Sequence, residues 1–249
     1  MKVKTILISQ PEPKIENSSY AELEERLNVK IDFIPFIHVD GVESREVRQQ
    51  KIDLSKFTAI ILTSRNAVDH FFRIAEEMRY TIPNTLKYFC QSEAVAFYLQ
   101  KYVVYRKRKI YVGKRSFQDT ILNIKKHVDE KFLLLSSDVL KPVIPQQLDK
   151  IGIDWKRGVF FKTVVSDLSN LKDVYYDILV FFSPSGIKSL YENFPDYEQK
   201  DTIIAVFGNS THKAAKEQGL KVAIKAPTPK TPSMTMALEN FVKEQNKKK

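Results

Sequence analysis

The sequence predicts an α/β protein built from two similar parallel-sheet lobes, and three observations lead there. Apolar runs alternate with helical patterns along most of the chain, as parallel strands covered by helices on both faces require. One such unit occurs twice: FTAIILTSRNAVDHFF (57–72) is answered by YDILVFFSPSGIKSLY (176–191), with Ser64 and Ser183 119 positions apart. The next unit repeats as well, YFCQSEAVAFYLQ (88–100) against AVFGNSTHKAAKE (205–217), with Cys90 opposite Gly208 at a spacing of 118. Duplication of an α/β unit predicts two lobes facing a shared cleft, a natural place for a ligand.

The elements follow in order. Thr5–Ile8 is an unbroken apolar run, the mark of a buried parallel strand, and Ser9-Gln10-Pro11 ends it. Helical spacing puts Tyr20, Leu23 and Leu27 on one face of Ser18–Leu27. Residues 31–39 (IDFIPFIHV) read as extended, and Pro35 makes them an edge strand or linker. Polar Asp40–Ser55 reads as a loop or exposed helix. Strands are expected at Ala59–Leu62, Leu86–Phe89, Val103–Tyr105, Lys109–Val112 and Phe132–Leu135. Helices are expected at Asn66–Met78, Glu93–Lys101, Phe117–Val128 and Val143–Lys150. Gly158–Val165 is again extended. Strands then fall at Ile178–Phe182, Ile203–Phe207 and Val222–Ile224, with helices at Ile187–Phe194, Thr211–Gln218 and Met234–Glu244. The proline-rich Ala226–Ser233 is a loop delivering the last helix.

The extended segments at 33–39 and 158–165 bracket the first repeat. Paired, they form a two-stranded connector (35–40 and 158–166). One lobe is then continuous, residues 41–157. The other combines residues 1–34 with 167–249.

The net charge is +10 over 249 residues, with lysines closing the chain (Lys247–Lys249) and a basic cluster at Arg106–Lys109. Solubility accounts for such charge, as does a polyanionic small molecule or a nucleic acid. No zinc finger, helix-turn-helix or RNP signature is present, and the aromatics sit in apolar runs suited to a core, so no nucleic-acid partner is expected. No run nears the ~18–20 apolar residues of a membrane span, and no membrane partner is expected. A basic then apolar N-terminus without a small-residue cleavage site reads as a first strand rather than a leader. The single cysteine excludes an internal disulfide framework and points to a reducing, cytoplasmic setting.

Small polar residues gather where strands end and helices begin, the place where parallel sheets bind ligands. Thr63-Ser64 and Ser183-Pro184-Ser185 hold that place in the first repeated unit. Gln91-Ser92 and Gly208-Asn209-Ser210-Thr211 hold it in the second, and Ser136-Ser137 follows another strand. Unpaired N–H groups at helix starts attract anions, and a hydroxyl there can donate too. Ser, Thr and Asn are also the preferred N-caps, which explains any one turn taken alone. Their recurrence at repeat spacing predicts a receptor for carboxylate or phosphate, comprising Thr63, Ser64, Gln91, Ser92, Ser136, Ser183, Ser185, Gly208, Asn209, Ser210 and Thr211.

Other chemistries lack their signatures. There is no GxGxxG or Walker lysine loop and only seven glycines, which disfavours nucleotides. His38, His70, His127 and His212 show no metal spacing with Cys90 or paired carboxylates, so no metal is expected. His70 and His127 fall within helical patterns, whereas His212 sits at a turn-to-helix position. Cys90 has no histidine near it in sequence and reads as a small apolar residue at a tight strand end.

The turns resemble those of the uroporphyrinogen-III synthase family across most of the chain. A T-S-x-N-A-V type turn is matched by Thr63-Ser64-Arg65-Asn66-Ala67-Val68, an S-P-S-G turn by Ser183-Pro184-Ser185-Gly186, and a G-x-x-T turn by Gly208-Asn209-Ser210-Thr211. A proline- and threonine-containing loop, Ala226-Pro227-Thr228-Pro229, precedes the last helix. The resemblance implies two flavodoxin-like α/β lobes joined by a two-stranded ladder, with the N-terminal strand in the later lobe. It implies a cofactor-independent lyase of heme biosynthesis acting on hydroxymethylbilane, a linear tetrapyrrole with eight carboxylates. That enzyme expels the terminal hydroxyl, inverts the last pyrrole ring and closes the macrocycle. A monomer is expected.

The sequence departs from the family pattern at three places. Ser9-Gln10-Pro11 stands where an arginine is frequent. Cys90 and Glu93 replace a glycine-led turn with a threonine. Phe161 occupies the connector position of a tyrosine proposed to assist hydroxyl departure, and phenylalanine has no proton to give. Tyr175, Tyr176, Ser64 and Thr211 are alternative donors, and the catalytic group is left unassigned. The substitutions also allow a weakened member that binds a tetrapyrrole or other polyanion without controlling its closure.

Overall fold

The computed structural model describes residues 2–14, 18–114 and 116–247. Arg115 and, from the closing lysine run, Lys248 and Lys249 lie outside the described residues. Two units divide the chain: residues 1–38 with 164–249, and residues 39–163. The first begins with β1 (Thr5–Ile8), α1 (Ser19–Leu27) and β2 (Lys30–Phe33). After β3 (Ile37–Gly41) the second holds α2 (Ser44–Gln49), β4 (Ala59–Leu62), α3 (Arg65–Glu77), β5 (Lys87–Cys90), α4 (Glu93–Leu99), β6 (Ile110–Val112), α5 (Phe117–Ile124), β7 (Phe132–Ser137) and α6 (Val143–Ile151). Following β8 (Trp155–Val165), the first unit is completed by β9 (Ile178–Phe181), α7 (Pro184–Asn193), β10 (Ile203–Phe207), α8 (Asn209–Glu217), β11 (Val222–Ala226) and α9 (Met234–Lys247).

The first sheet has the order β11-β10-β9-β1-β2 and the second β3-β8-β7-β4-β5-β6. The pairings β2-β1-β9-β10-β11 and β8-β7-β4-β5-β6 are all parallel. In chain order the first sheet runs 2-1-3-4-5, and the second, β3 aside, runs 3-2-1-4-5 when read from its β6 edge. Superposing the repeated units, β4 on β9 and β5 on β10, gives every strand a counterpart, since 6-5-4-7-8 falls on 11-10-9-1-2. One sheet layout is therefore used twice with the chain circularly permuted. β1 and β2 fill the places of β7 and β8.

Each sheet buries both faces, which is why its strands read as unbroken apolar runs. Ile6, Ile8, Ile178 and Val180 pack against Leu23 of α1 and Leu238 of α9, while Leu7, Leu179 and Phe181 meet Ile187 and Leu190 of α7 and Ala215 of α8. In the second unit Ile60, Leu62 and Leu135 face α3 and α4, and Ala59, Ile61 and Leu134 face α5 and α6. α3 buries Ala67, Val68, Phe71, Ile74 and Ala75, a stripe of helical period. Full burial of one such side chain as Phe71 contributes about 2–3 kcal/mol.

At the start of β1, Asp177 Oδ2 accepts from the Lys4 and Thr5 amides at 2.7 and 2.9 Å, and the Asp177 amide donates to Thr5 Oγ1 at 3.1 Å. This clamp fastens the N-terminal strand to β9.

Several elements differ from the sequence reading. The run 31–39 is two strands, β2 and β3, separated around Pro35. Asp40–Ser55 contains α2 and runs into a 3₁₀ turn at Leu54–Lys56, both fixed by buried Val47, Ile52 and Leu54. Val103–Tyr105 is not a strand. The Tyr102 and Val103 amides turn back to the Leu99 carbonyl, and β6 takes the free edge of β5. α5 stops at Ile124, four residues before the expected end, where the His127 amide closes a turn on the Ile124 carbonyl.

Candidate functional site

The strand-end turns are built by local hydrogen bonds. Ser64 Oγ accepts the Ala67 amide at 3.1 Å, Ser183 Oγ the Gly186 amide at 3.1 Å, and Ser92 Oγ the Val95 amide at 3.4 Å. All three serines are N-caps with extended backbone, opening α3, α7 and α4. A serine that accepts in this way keeps its own proton for an outside acceptor. Thr63, Ser64, Gln91, Ser92, Ser183 and Ser185 keep surface to present.

The start of α8 is capped by a residue with no side chain. Gly208 has φ 88° and ψ 153°, and its carbonyl accepts the His212 amide at 3.1 Å. Asn209 and Ser210 are exposed there. Thr211 is 1% exposed, and its Oγ1 has no hydrogen-bond partner among the described residues. His212 is held below the ordinary histidine range by desolvation and by the charges of Lys225 and Lys216.

In each sheet the chain order reverses between two neighbours, β1 and β9 in the first unit and β4 and β7 in the second, and such switch points open a crevice at the strand ends. In the first unit the Ser9 and Ser183 hydroxyls both lie 3.7 Å from where a Cβ on Gly186 would stand. Sequence reading treated Ser9 as a strand break and as part of the segment standing where the family often has an arginine, and left it out of the binding residues. The signal was its place after an apolar run, the same as that of Ser136. At the second switch point Ser136 is 2% exposed, and its Oγ accepts from Arg157 Nε at 2.9 Å. Arg157 Nη2 also donates to the Ser137 and Asp138 carbonyls, both at 2.8 Å. The hydroxyl of Ser136 is thus covered by the half-buried Arg157. Pattern reading missed Arg157, because it lies on the neighbouring strand.

Phe161, on β8, is 7% exposed and stacks on His70 with ring centroids 5.3 Å apart. His70 Nδ1 accepts from Arg73 Nε at 3.2 Å. Burial, then the Arg73 charge, holds the His70 imidazole below the ordinary range. Cys90 is fully buried on β5, and desolvation pushes its thiol up to about 12, so it carries no thiolate at neutral pH. Tyr176 donates to Asp32 Oδ2 at 3.0 Å at the opposite, amino end of β9; burial and then that bond push it up to about 12. Among the described residues no group of three or more His, Cys, Asp or Glu side chains could hold a metal ion.

Each unit also contains a cavity, of about 670 and 680 Å³, lined by residues such as Tyr88 and Lys109 in one and Tyr176 and Thr202 in the other. None of the predicted binding residues lines either cavity, although Tyr175 and Tyr176, the alternative proton donors, line the second. Both open beside the amino ends of strands, at the ends opposite the turns.

Residues 18–236 match the HEM4 family, described as Uroporphyrinogen-III synthase HemD. A uroporphyrinogen-III synthase of Chlorobaculum parvum is 24% identical over 255 residues, covering 97% of this chain and 100% of that one. The crystal structure of uroporphyrinogen-III synthetase from Helicobacter pylori aligns with a TM-score of 0.61 at 19% identity, over 97% of this chain and 100% of that one. A mutant uroporphyrinogen III synthase from the extreme thermophile Thermus thermophilus aligns at 0.55 with 13% identity, over 99% and 100%. The two structures share the mixed α/β fold with this chain. The family match spans most of the sequence, both repeated units included, and the chain belongs to the uroporphyrinogen-III synthase family, the cyclising lyases of porphyrin biosynthesis.

Proposed function

We propose that this protein closes hydroxymethylbilane to uroporphyrinogen III, with inversion of the last pyrrole ring and loss of water. One observation carries the proposal at the level of residues: serine-capped or glycine-capped helix starts recur at equivalent strand ends of both sheets. Thr63, Ser64, Gln91 and Ser92 are the donors of one unit and Ser183, Ser185, Gly208, Asn209 and Ser210 those of the other, with Thr211 buried and Ser136 as support for Arg157. Their amides and hydroxyls donate to the carboxylates of a linear tetrapyrrole. The electron-rich pyrroles expel the hydroxyl, so no cofactor is called for. The protein's part is to hold the chain in the conformation that leads to inverted closure. Two flavodoxin-like lobes with a two-stranded connector, acting as a cytoplasmic monomer without a nucleic-acid partner, complete this reading. Supplied with hydroxymethylbilane, the purified protein yields the type III isomer. Folded protein giving only the spontaneous type I isomer refutes the proposal.

The ring of Phe161 favours a second reading, a member that binds the tetrapyrrole without controlling closure. Phe161→Tyr separates the two. If the strand position supplies a proton, the substitution raises kcat by about tenfold or more. An unchanged rate with type III product shows that another donor serves. Tight binding with type I product in both forms establishes the second reading.

A further inference from the structure

We propose that the loop joining α4 to β6 docks this protein on an anionic lipid surface. Residues 94–118 contain seven Lys or Arg and no Asp or Glu, the chain's densest stretch of one sign. Four of the seven are consecutive, Arg106-Lys107-Arg108-Lys109. Arg106, Lys107 and Arg108 are exposed, and among the described residues none of the four pairs with a carboxylate. The loop is a formed turn: the Arg106 carbonyl accepts the Lys109 and Ile110 amides at 2.8 and 3.1 Å, and Tyr111 donates to the Arg108 carbonyl at 2.9 Å.

Apolar side chains stand out on the same segment. Val104 is 81% exposed, Tyr105 47%, and Phe97 on α4 77%. Basic side chains set beside an aliphatic residue and tyrosines match a headgroup layer. The cations meet lipid phosphates while tyrosine and valine enter the interface. A nucleic acid or an acidic protein would use the charge and leave Val104 in water. The absence of a spanning helix among the described residues concerns insertion and is silent on contact at this depth.

The placement also suits docking. β4, β5 and β6 are parallel, so this loop enters at their amino ends, the edge of the sheet opposite Ser64 and Ser92. A protein seated on the loop keeps those turns in water.

Co-sedimentation of the full chain with vesicles tests the proposal and reads binding alone, so it stands apart from synthase activity. At low salt the protein binds phosphatidylcholine vesicles containing phosphatidylglycerol and leaves pure phosphatidylcholine vesicles unbound. Each basic residue removed weakens binding about fivefold. The quadruple variant R106Q/K107Q/R108Q/K109Q therefore loses on the order of a hundredfold or more, and V104S/Y105S also binds more weakly. Both variants keep the wild-type melting temperature, because the altered side chains lie outside the core. Failure of the wild type to bind the mixed vesicles overturns the proposal. So does a V104S/Y105S variant that binds as the wild type does while both bind polyglutamate equally well, since the loop is then a generic cation patch.

Discussion

Gly208→Ala isolates the backbone at the start of α8. The residue sits at φ 88°, ψ 153°, outside the left-handed helical basin and in a region that L residues rarely enter. A Cβ placed there meets no atom within 4 Å, so steric crowding contributes nothing. Relaxation is also blocked. The Gly208 amide donates to the Ala226 carbonyl at 2.6 Å, and its own carbonyl holds the His212 amide. The strain of about 1–3 kcal/mol therefore stays in the folded state. The alanine restricts the unfolded chain and offsets about 0.4–1 kcal/mol of this, which leaves a net loss of about 1–2 kcal/mol. Gly152→Ala is the control. At φ 66°, ψ 31° it lies in the ordinary left-handed basin, again with open space around it. Its strain of about 1–2 kcal/mol is offset by about half through the same entropy. Urea unfolding compares the two, and isomer-resolved kinetics follow KM. Gly208→Ala is expected to lose more stability than Gly152→Ala and alone to raise KM, because the added methyl stands in the open space at the α8 start that the ligand would take. Equal stability losses refute the strain argument. A destabilised Gly208→Ala protein with wild-type KM refutes the role of the α8 start.

Three further expectations follow from the same contacts. Asp177→Ala orphans the amides of Lys4 and Thr5 at a half-buried strand start and costs about 2 kcal/mol in urea unfolding, whereas Asp177→Asn keeps an acceptor and costs about 1 kcal/mol; equal losses would contradict the clamp. Ser64→Ala and Ser183→Ala each lose about 1 kcal/mol as N-caps and Ser64→Gly only a few tenths; if kcat/KM is unchanged in both alanine variants, these hydroxyls do not touch substrate. Because the folded His70 pKa lies below its unfolded value of about 6.5, the unfolded chain binds the extra proton first, so stability is fully present above that pH and falls as pH drops through the folded value. His70→Asn flattens this acid limb of the melting profile, and an unaltered limb assigns it to other groups.

What the sequence disclosed and what it hid have separate physical causes. Caps are local: a serine bonding an amide three residues on, as in Ser64, Ser92 and Ser183, can be recognised from adjacent letters. Strands buried on both faces are legible for the same kind of reason, as Ala59–Leu62 and Ile178–Phe181 show by having no polar alternation. The fate of Ser136 was hidden, since its cover is a guanidinium 21 positions away on the next strand. Ser9 and Ser183 are 174 positions apart in sequence, and only strand pairing brings their hydroxyls around Gly186. Val103–Tyr105 misled because β-branched and aromatic letters signal strand, while the place beside β5 had gone to Ile110–Val112.

The permutation explains why the N-terminus matters to a site built mainly from later residues. β9 and β10 supply Ser183 and Gly208, yet the switch point exists only because β1 pairs with β9. In the second unit the equivalent neighbour, β7, follows its own sheet in sequence; in the first it must be recruited from the start of the chain. The Asp177 clamp acts at that junction, joining Lys4 and Thr5 to the residue before β9. At the other end of the strands the Ser9 amide donates to the Val180 carbonyl at 3.0 Å, and this bond, rather than the clamp, holds Ser9 beside Ser183. Loss of Asp177 therefore costs stability at the amino end and leaves the strand-end donors in place.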